Sequence, residues 1–118
     1  MKKFEFVDIT TADVAFVAYG KDLSELFANA ALAMFEVMIK TKQVKQIISR
    51  KVEVKGNDLQ SLMFNWLNEL LVYVDSENLV FSDFEVKVDE KNLELKAECK
   101  GEKIDRKRHE IGTVVKSA

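Results

Sequence analysis

"NDLQSLMFNWLNELLVYVDSEN" (Asn57 to Asn78) is the stretch on which the fold turns. Leu59, Leu62, Met63, Trp66, Leu67, Leu70, Leu71 and Val74 recur at i, i+3, i+4 and i+7 without a gap. Gln60, Ser61, Asn65, Asn68 and Glu69 make most of the opposite side. That spacing predicts an amphipathic helix with one apolar face turned to a core. Asn57 or Asp58 stands where a short side-chain oxygen can accept a backbone N–H left open at the helix start. Directly after "DSEN" the period changes to two. Val80, Phe84, Val86 and Val88 then share one face of a strand, and "DEKN" makes a turn. Leu93, Leu95, Ala97 and Cys99 share one face of the next strand, opposite Glu94, Lys96 and Glu98. Gly101 is expected to end that strand. "EKIDRKRHEIG" is expected to be a polar loop and "TVVKS" a last short strand.

Upstream, "ISRKVEVKG" reads as a strand, with Val52 and Val54 alternating against Lys51, Glu53 and Lys55. "KDLSELFANAALAMFEVMIK" carries Leu23, Leu26, Phe27, Ala30, Met34, Val37 and Met38 at helical spacing. Asp22 can cap it, with Glu25 three residues on in a capping-box pattern. "KKFEFVDIT" and "ADVAFVAYG" read as two opening strands. "DLSELFAN" (Asp22 to Asn29) and "DLQSLMFN" (Asp58 to Asn65) share D-L-x-x-L-apolar-x-N, each after a strand and a glycine. A duplicated strand–helix unit explains the echo, and so does chance between two amphipathic helices. Strands before, between and after two helices predict an α+β fold. Both helices pack on one face of a mostly antiparallel sheet, in a single domain spanning 1–118.

The composition excludes several classes. The 118 residues are 47% hydrophobic and 32% charged, which is globular rather than disordered. No apolar run approaches the roughly 20 residues of a membrane span, and the N-terminus lacks the apolar core of a signal peptide. One cysteine cannot form an internal disulfide, so a cytoplasmic protein is expected. One Cys and one His make no zinc pattern. The net charge of −2 gives no overall attraction for nucleic acid. Basic residues do gather in "KTKQVKQIISRKVEVK" (Lys40 to Lys55) and "KIDRKRH" (Lys103 to His109), and each is expected to be a solvated face or loop.

Few residues offer chemistry. Cys99, on the apolar side of its strand, reads as a small core hydrophobe rather than a nucleophile. His109 stands among charges and is expected to be exposed and structurally idle. With four glycines and no P-loop, a phosphate-cradling loop is not expected. No nucleophile or general base stands out beyond carboxylates, so a non-enzyme is expected. Asp8 and Asp13 are the anomaly, two carboxylates in one of the most strand-like segments, "FVDITTADVAFVAYG" (Phe6 to Gly20). Asp is disfavoured in strands because its short side chain competes for backbone hydrogen bonds. Two readings stand side by side. Both acids are turn formers, or both belong to a site for a hard divalent cation, which takes carboxylate and carbonyl oxygens.

The order of several blocks resembles one family. "TAD" (Thr11 to Asp13) and "AYG" (Ala18 to Gly20) are followed by "LFANAALAMFEVM" (Leu26 to Met38) and "WLNELL" (Trp66 to Leu71). Then come "LVFSDFEV" (Leu79 to Val86), "GEKID" (Gly101 to Asp105), "HE" (His109, Glu110) and "VVK" (Val114 to Lys116). Together they resemble the archeases, over essentially the whole chain. The resemblance implies a small α+β protein that activates an RtcB-type RNA ligase in tRNA splicing by promoting ligase guanylylation, aided by a bound metal ion. It also implies an alternative, a chaperone-like modulator of other partners such as an RNA methyltransferase. The aspartate of "TAD" is a metal ligand in the family, which carries over onto Asp13, with Asp8 aligning loosely beside it. Two departures bear on this. Thr10 stands where many archeases have histidine, and "VVKSA" closes the chain before the family's C-terminal strand region with its further aspartate. The expectation is therefore a weak or empty calcium site, a ligase partner, and no tight direct binding of nucleic acid.

Overall fold

A computed structural model describes residues 2–9 and 14–112. The first two strands, β1 (Phe4–Ile9) and β2 (Val14–Ala18), pair antiparallel, with Phe4 opposite Ala18 and Ile9 opposite Val14. Helix α1 (Leu23–Met38) follows, then a 3₁₀ turn at Thr41–Gln43 and strand β3 (Ile48–Lys55). Helix α2 (Leu59–Glu77) leads into β4 (Leu79–Asp89) and β5 (Glu94–Lys103). The last three strands form a second sheet, ordered β3-β5-β4 and antiparallel throughout.

Both helices cover one face of that three-stranded sheet. Phe35 of α1 meets Phe81 and Phe84 of β4, with ring centroids 5.8 and 5.7 Å apart. Trp66 of α2 meets Phe84 at 6.2 Å. Trp66 is fully buried, and its indole N–H donates to the Phe27 carbonyl at 3.0 Å, tying α2 to α1. The α2 face is buried as its periodicity predicts, through Leu62, Trp66, Leu67, Leu70 and Leu71, with Leu59 and Met63 at the half-buried margin. Helix α1 is buried more broadly, since Ala31, Ala33 and Phe35 lie inside as well. It touches the β1–β2 hairpin, β4 and α2 together. A helix with neighbours on several sides needs apolar residues on several sides. The other face of the sheet carries rows of charged side chains. Across β3–β5 opposite charges meet, Lys51 with Glu98 and Glu53 with Lys96, whereas across β4–β5 like charges stand opposite each other, Glu85 with Glu98 and Lys87 with Lys96. An antiparallel sheet can leave such a face to water.

The sequence echo is a shared piece of local structure. Asp22 Oδ1 accepts the Glu25 N–H at 2.8 Å, and Asp58 Oδ1 accepts the Ser61 N–H at 2.7 Å. Seven residues past each cap, an asparagine reaches back to the end of the preceding strand segment, Tyr19 just after β2 and Lys55 in β3. Asn29 donates to the Tyr19 carbonyl (2.6 Å) and Asn65 to the Lys55 carbonyl (2.7 Å). A Cβ on Gly20 would lie 2.3 Å from the Leu26 nitrogen, and one on Gly56 would lie 2.6 Å from the Leu62 nitrogen. The chain passes its own helix too closely there for any side chain. The two starts differ in one detail. Ser61 completes a capping box with Asp58, whereas Glu25 reaches back to the Lys21 N–H.

Three expectations for the last two strands are corrected. The β4 pairing shifts register between Phe81 and Asp83, leaving Ser82 as an extra residue. The bulge inverts the alternation, so Leu79 and Phe81, not Val80, share the face of Phe84, Val86 and Val88. Val80 faces the other way, opposite Glu102, and is buried all the same. Gly101 does not end β5. It lies within the strand opposite Phe81, where a Cβ would fall 1.8 Å from the Val80 carbonyl oxygen. Leu93 belongs to the turn rather than to β5, with φ at 52°. "TVVKS" lies outside the described residues. Among the described residues, no helix is long and apolar enough to cross a membrane.

Candidate functional site

The two predicted site residues belong to the β1–β2 hairpin. Asp8 sits in β1 opposite Ala15, just past a register shift that follows Phe6. Asp13 lies outside the described residues, as do residues 10–12. Ile9 and Val14 form the last described pair. Two carboxylates are the right kind of donor for a hard cation, though few in number. Among the described residues, no group of three or more His, Cys, Asp or Glu could hold a metal ion.

A second cluster lies at the far end of β5, where the sequence predicts a polar loop. His109 is 4% exposed, which corrects the expectation that it is exposed. The cause is a tight turn. The Asp105 carbonyl accepts the Arg108 and His109 N–H groups at 3.1 and 2.7 Å, and the Asp105 N–H donates to His109 Nδ1 at 3.0 Å. With Nδ1 accepting, the neutral ring carries its proton on Nε2, which lies 3.1 Å from Glu102 Oε2. Glu102 is itself 6% exposed. It also accepts the Lys45 N–H at 2.5 Å and is bound by the Arg108 guanidinium. Burial works to raise the Glu102 carboxyl, but these donors outweigh it and hold the group below the ordinary carboxylate value.

Glu102 therefore joins two segments far apart in sequence. Arg108 also donates to the Gln43 carbonyl (3.0 Å), and Lys40 pairs with Glu110 (2.9 Å). The Glu110 N–H donates to the Gln43 side chain at 2.8 Å, and Ile39 bridges Ile111. Ser82, the bulge residue, donates its hydroxyl to the Val44 carbonyl at 3.0 Å. The two basic stretches of the sequence thus meet on one side of the molecule. The signals available beforehand were a lone histidine and a glutamate just past a glycine. Neither spacing nor period revealed that one chain turn would fold the imidazole inward.

Cys99 is fully buried, as expected of a core residue, and burial beside Asp83 and Glu98 pushes its thiol up to about 12. It is no nucleophile at that value.

The chain matches the model of the Archease protein family over residues 4–118. It is 50% identical over 117 residues to the protein archease of Sulfurisphaera tokodaii, covering 99% of this chain and 84% of that one. It is 52% identical over 106 residues to the protein archease of Methanothermobacter thermautotrophicus, covering 88% of this chain and 75% of that one. The fold is similar to the solution structure of Methanobacterium thermoautotrophicum protein 1598. The TM-score is 0.83 at 49% identity, over 98% of this chain and 83% of that one.

Proposed function

The chain belongs to the archease family, and from that premise we propose that it is a non-catalytic activator of an RtcB-type RNA ligase, working in tRNA splicing in the cytoplasm. The observation that carries this reading is the extent of the family match. It runs over residues 4–118 and takes in the "TAD" block at Asp13 and the "GEKID" and "HE" blocks that build the Glu102 cluster. Three features support the non-catalytic part. The thiol is buried and protonated, both nitrogens of the histidine are engaged, and the buried carboxylate is surrounded by donors. Groups so occupied have no lone pair or proton to spare for a substrate.

In the same reading, Asp13 and Asp8 would hold a calcium ion. Calcium takes six to eight oxygens, and two carboxylates leave most of that shell to hydroxyls, carbonyls and water. The site is accordingly weak, with Kd of about 10⁻⁴–10⁻³ M. When bound, such an ion would supply local positive charge.

Ligase turnover with and without the protein tests the proposal, using wild type and Asp13→Ala, each with and without calcium. Multiple turnover is expected only with the wild type and calcium together. A ligase indifferent to the wild-type protein would overturn the activator role. Stimulation that survives Asp13→Ala would remove the metal from the account and favour a metal-free, chaperone-like binding role.

A further inference from the structure

Ten of the chain's 18 lysines and arginines lie in the two stretches Lys40–Lys55 and Lys103–His109, with two of its 20 acids, Glu53 and Asp105. The Glu102 hub brings parts of these stretches together, through Lys45 on one side and Arg108 and His109 on the other. An open concavity of about 750 Å³ lies beside the hub. Lys103, Arg106, Lys107 and Arg108 line it, and no aromatic ring does. Two acids line it as well. Glu102 is bound within the hub, and Asp105 accepts the Lys107 N–H at 3.0 Å, while nearby Glu77 pairs with Arg50 at 2.9 Å, so four cations face two carboxylates in the wall. Among the described residues, Lys103, Arg106 and Lys107 form no ion pair. A protein with a net charge of −2 thus gathers three cations outside any ion pair around one hollow, at the end of β5 and on the turn that follows, which a buried network fixes from beneath; of the three, Lys103 also lies in the field of Glu77.

We propose that this hollow is a binding site for the phosphate backbone of RNA. The partner class rests on the reading that the protein works beside an RNA ligase. Closely spaced cations suit the regularly repeated charge of a nucleic-acid strand, and arginine adds two-pronged donation to phosphate oxygens. A wall without aromatic rings offers no platform for bases, so the contact is blind to sequence. Three phosphate contacts are few. The isolated protein therefore binds RNA weakly, at about 10⁻⁴–10⁻⁶ M in physiological salt. The contact supplements the ligase's own grip and does not replace it.

The test is fluorescence anisotropy of a labelled single-stranded uridine oligonucleotide, titrated with the full chain at several salt concentrations and without ligase. The triple variant Lys103→Glu, Arg106→Glu, Lys107→Glu should weaken binding at least tenfold at low salt. The slope of log affinity against log salt should become shallower by about 2, since each phosphate contact on a single strand contributes about 0.7. Circular dichroism shows that the variant is folded. A control triple, Lys51→Glu, Lys87→Glu, Lys96→Glu, places the same charge change on the open sheet face and should leave affinity within twofold. Equal losses in the two triples would reduce the effect to net charge and overturn the site. An unchanged salt slope in the first triple would overturn it too. If polyglutamate displaces the RNA at equal charge concentration, the surface is one for acidic proteins and the RNA assignment fails. Because no ligase is present, either failure leaves ligase activation to be judged by turnover alone.

Discussion

Trp66 and Glu102 show two ways in which one side chain organises this protein. Trp66 fills the contact between helices and sheet and spends its only polar atom on the Phe27 carbonyl. Trp66→Ala is expected to cost about 3–5 kcal/mol, and a melting temperature near wild type would remove it from the core. Glu102 is held below the ordinary carboxylate value of 4.5, so the folded state favours its ionised form. The stability it gives is present above that value and drains away as pH falls through 4.5 and below. Glu102→Gln should lose about 1–3 kcal/mol at pH 7. The gap from wild type should narrow under urea unfolding at pH 4, and a gap that widened in acid would contradict this account. Trp66 was legible from the sequence because helical period reports burial. Glu102 and His109 were not, because a buried polar residue leaves no periodic trace and one of the Glu102 partners, Lys45, comes from 57 residues away.

Among the elements, α2 and the charged face of the sheet were readable in full, since their periods are regular. β4 and β5 were readable only up to the bulge. One inserted residue, Ser82, breaks a period-two pattern, and no local signal separates it from ordinary alternation. Gly101 looked like a stop because glycine usually weakens a strand. Here it is required by the approach of the Val80 carbonyl. The paired helix starts carry an unequal load. Asn29 is 7% exposed, whereas Asn65 is exposed, although both reach ten residues back to a carbonyl. Losing a buried partner leaves the carbonyl unpaired, while water replaces an exposed one. Asn29→Ala should therefore cost about 1–3 kcal/mol and Asn65→Ala well under 1. Equal losses, read by denaturant midpoint, would mean that the two starts are energetically as well as geometrically alike.

Across the molecule, one apolar cluster draws on α1, α2, β3, β4 and β5. The two strand–helix units therefore share a core rather than each owning one. Helix α2 and its sheet should not melt apart from α1. Trp66 fluorescence and far-ultraviolet circular dichroism are expected to trace a single, coincident unfolding curve. Two separated midpoints would show that the repeated units retain independent stability. The α+β class and the helix-on-sheet layering were legible at this scale because patterning alone decides them. The meeting of the two basic stretches was not, because it depends on tertiary contacts through one buried carboxylate.

The lone sulfur in that shared core turns the molecule into its own stopwatch. A thiol that is fully enclosed and pushed up to about 12 ignores a chromogenic disulfide reagent for as long as the sheet around it stays shut. Colour then develops only as fast as β5 is released. At reagent concentrations high enough that the rate no longer rises with reagent, the yellowing of a native sample reads the opening rate, without denaturant, label or mutation; below that plateau it reads the equilibrium population of the open form.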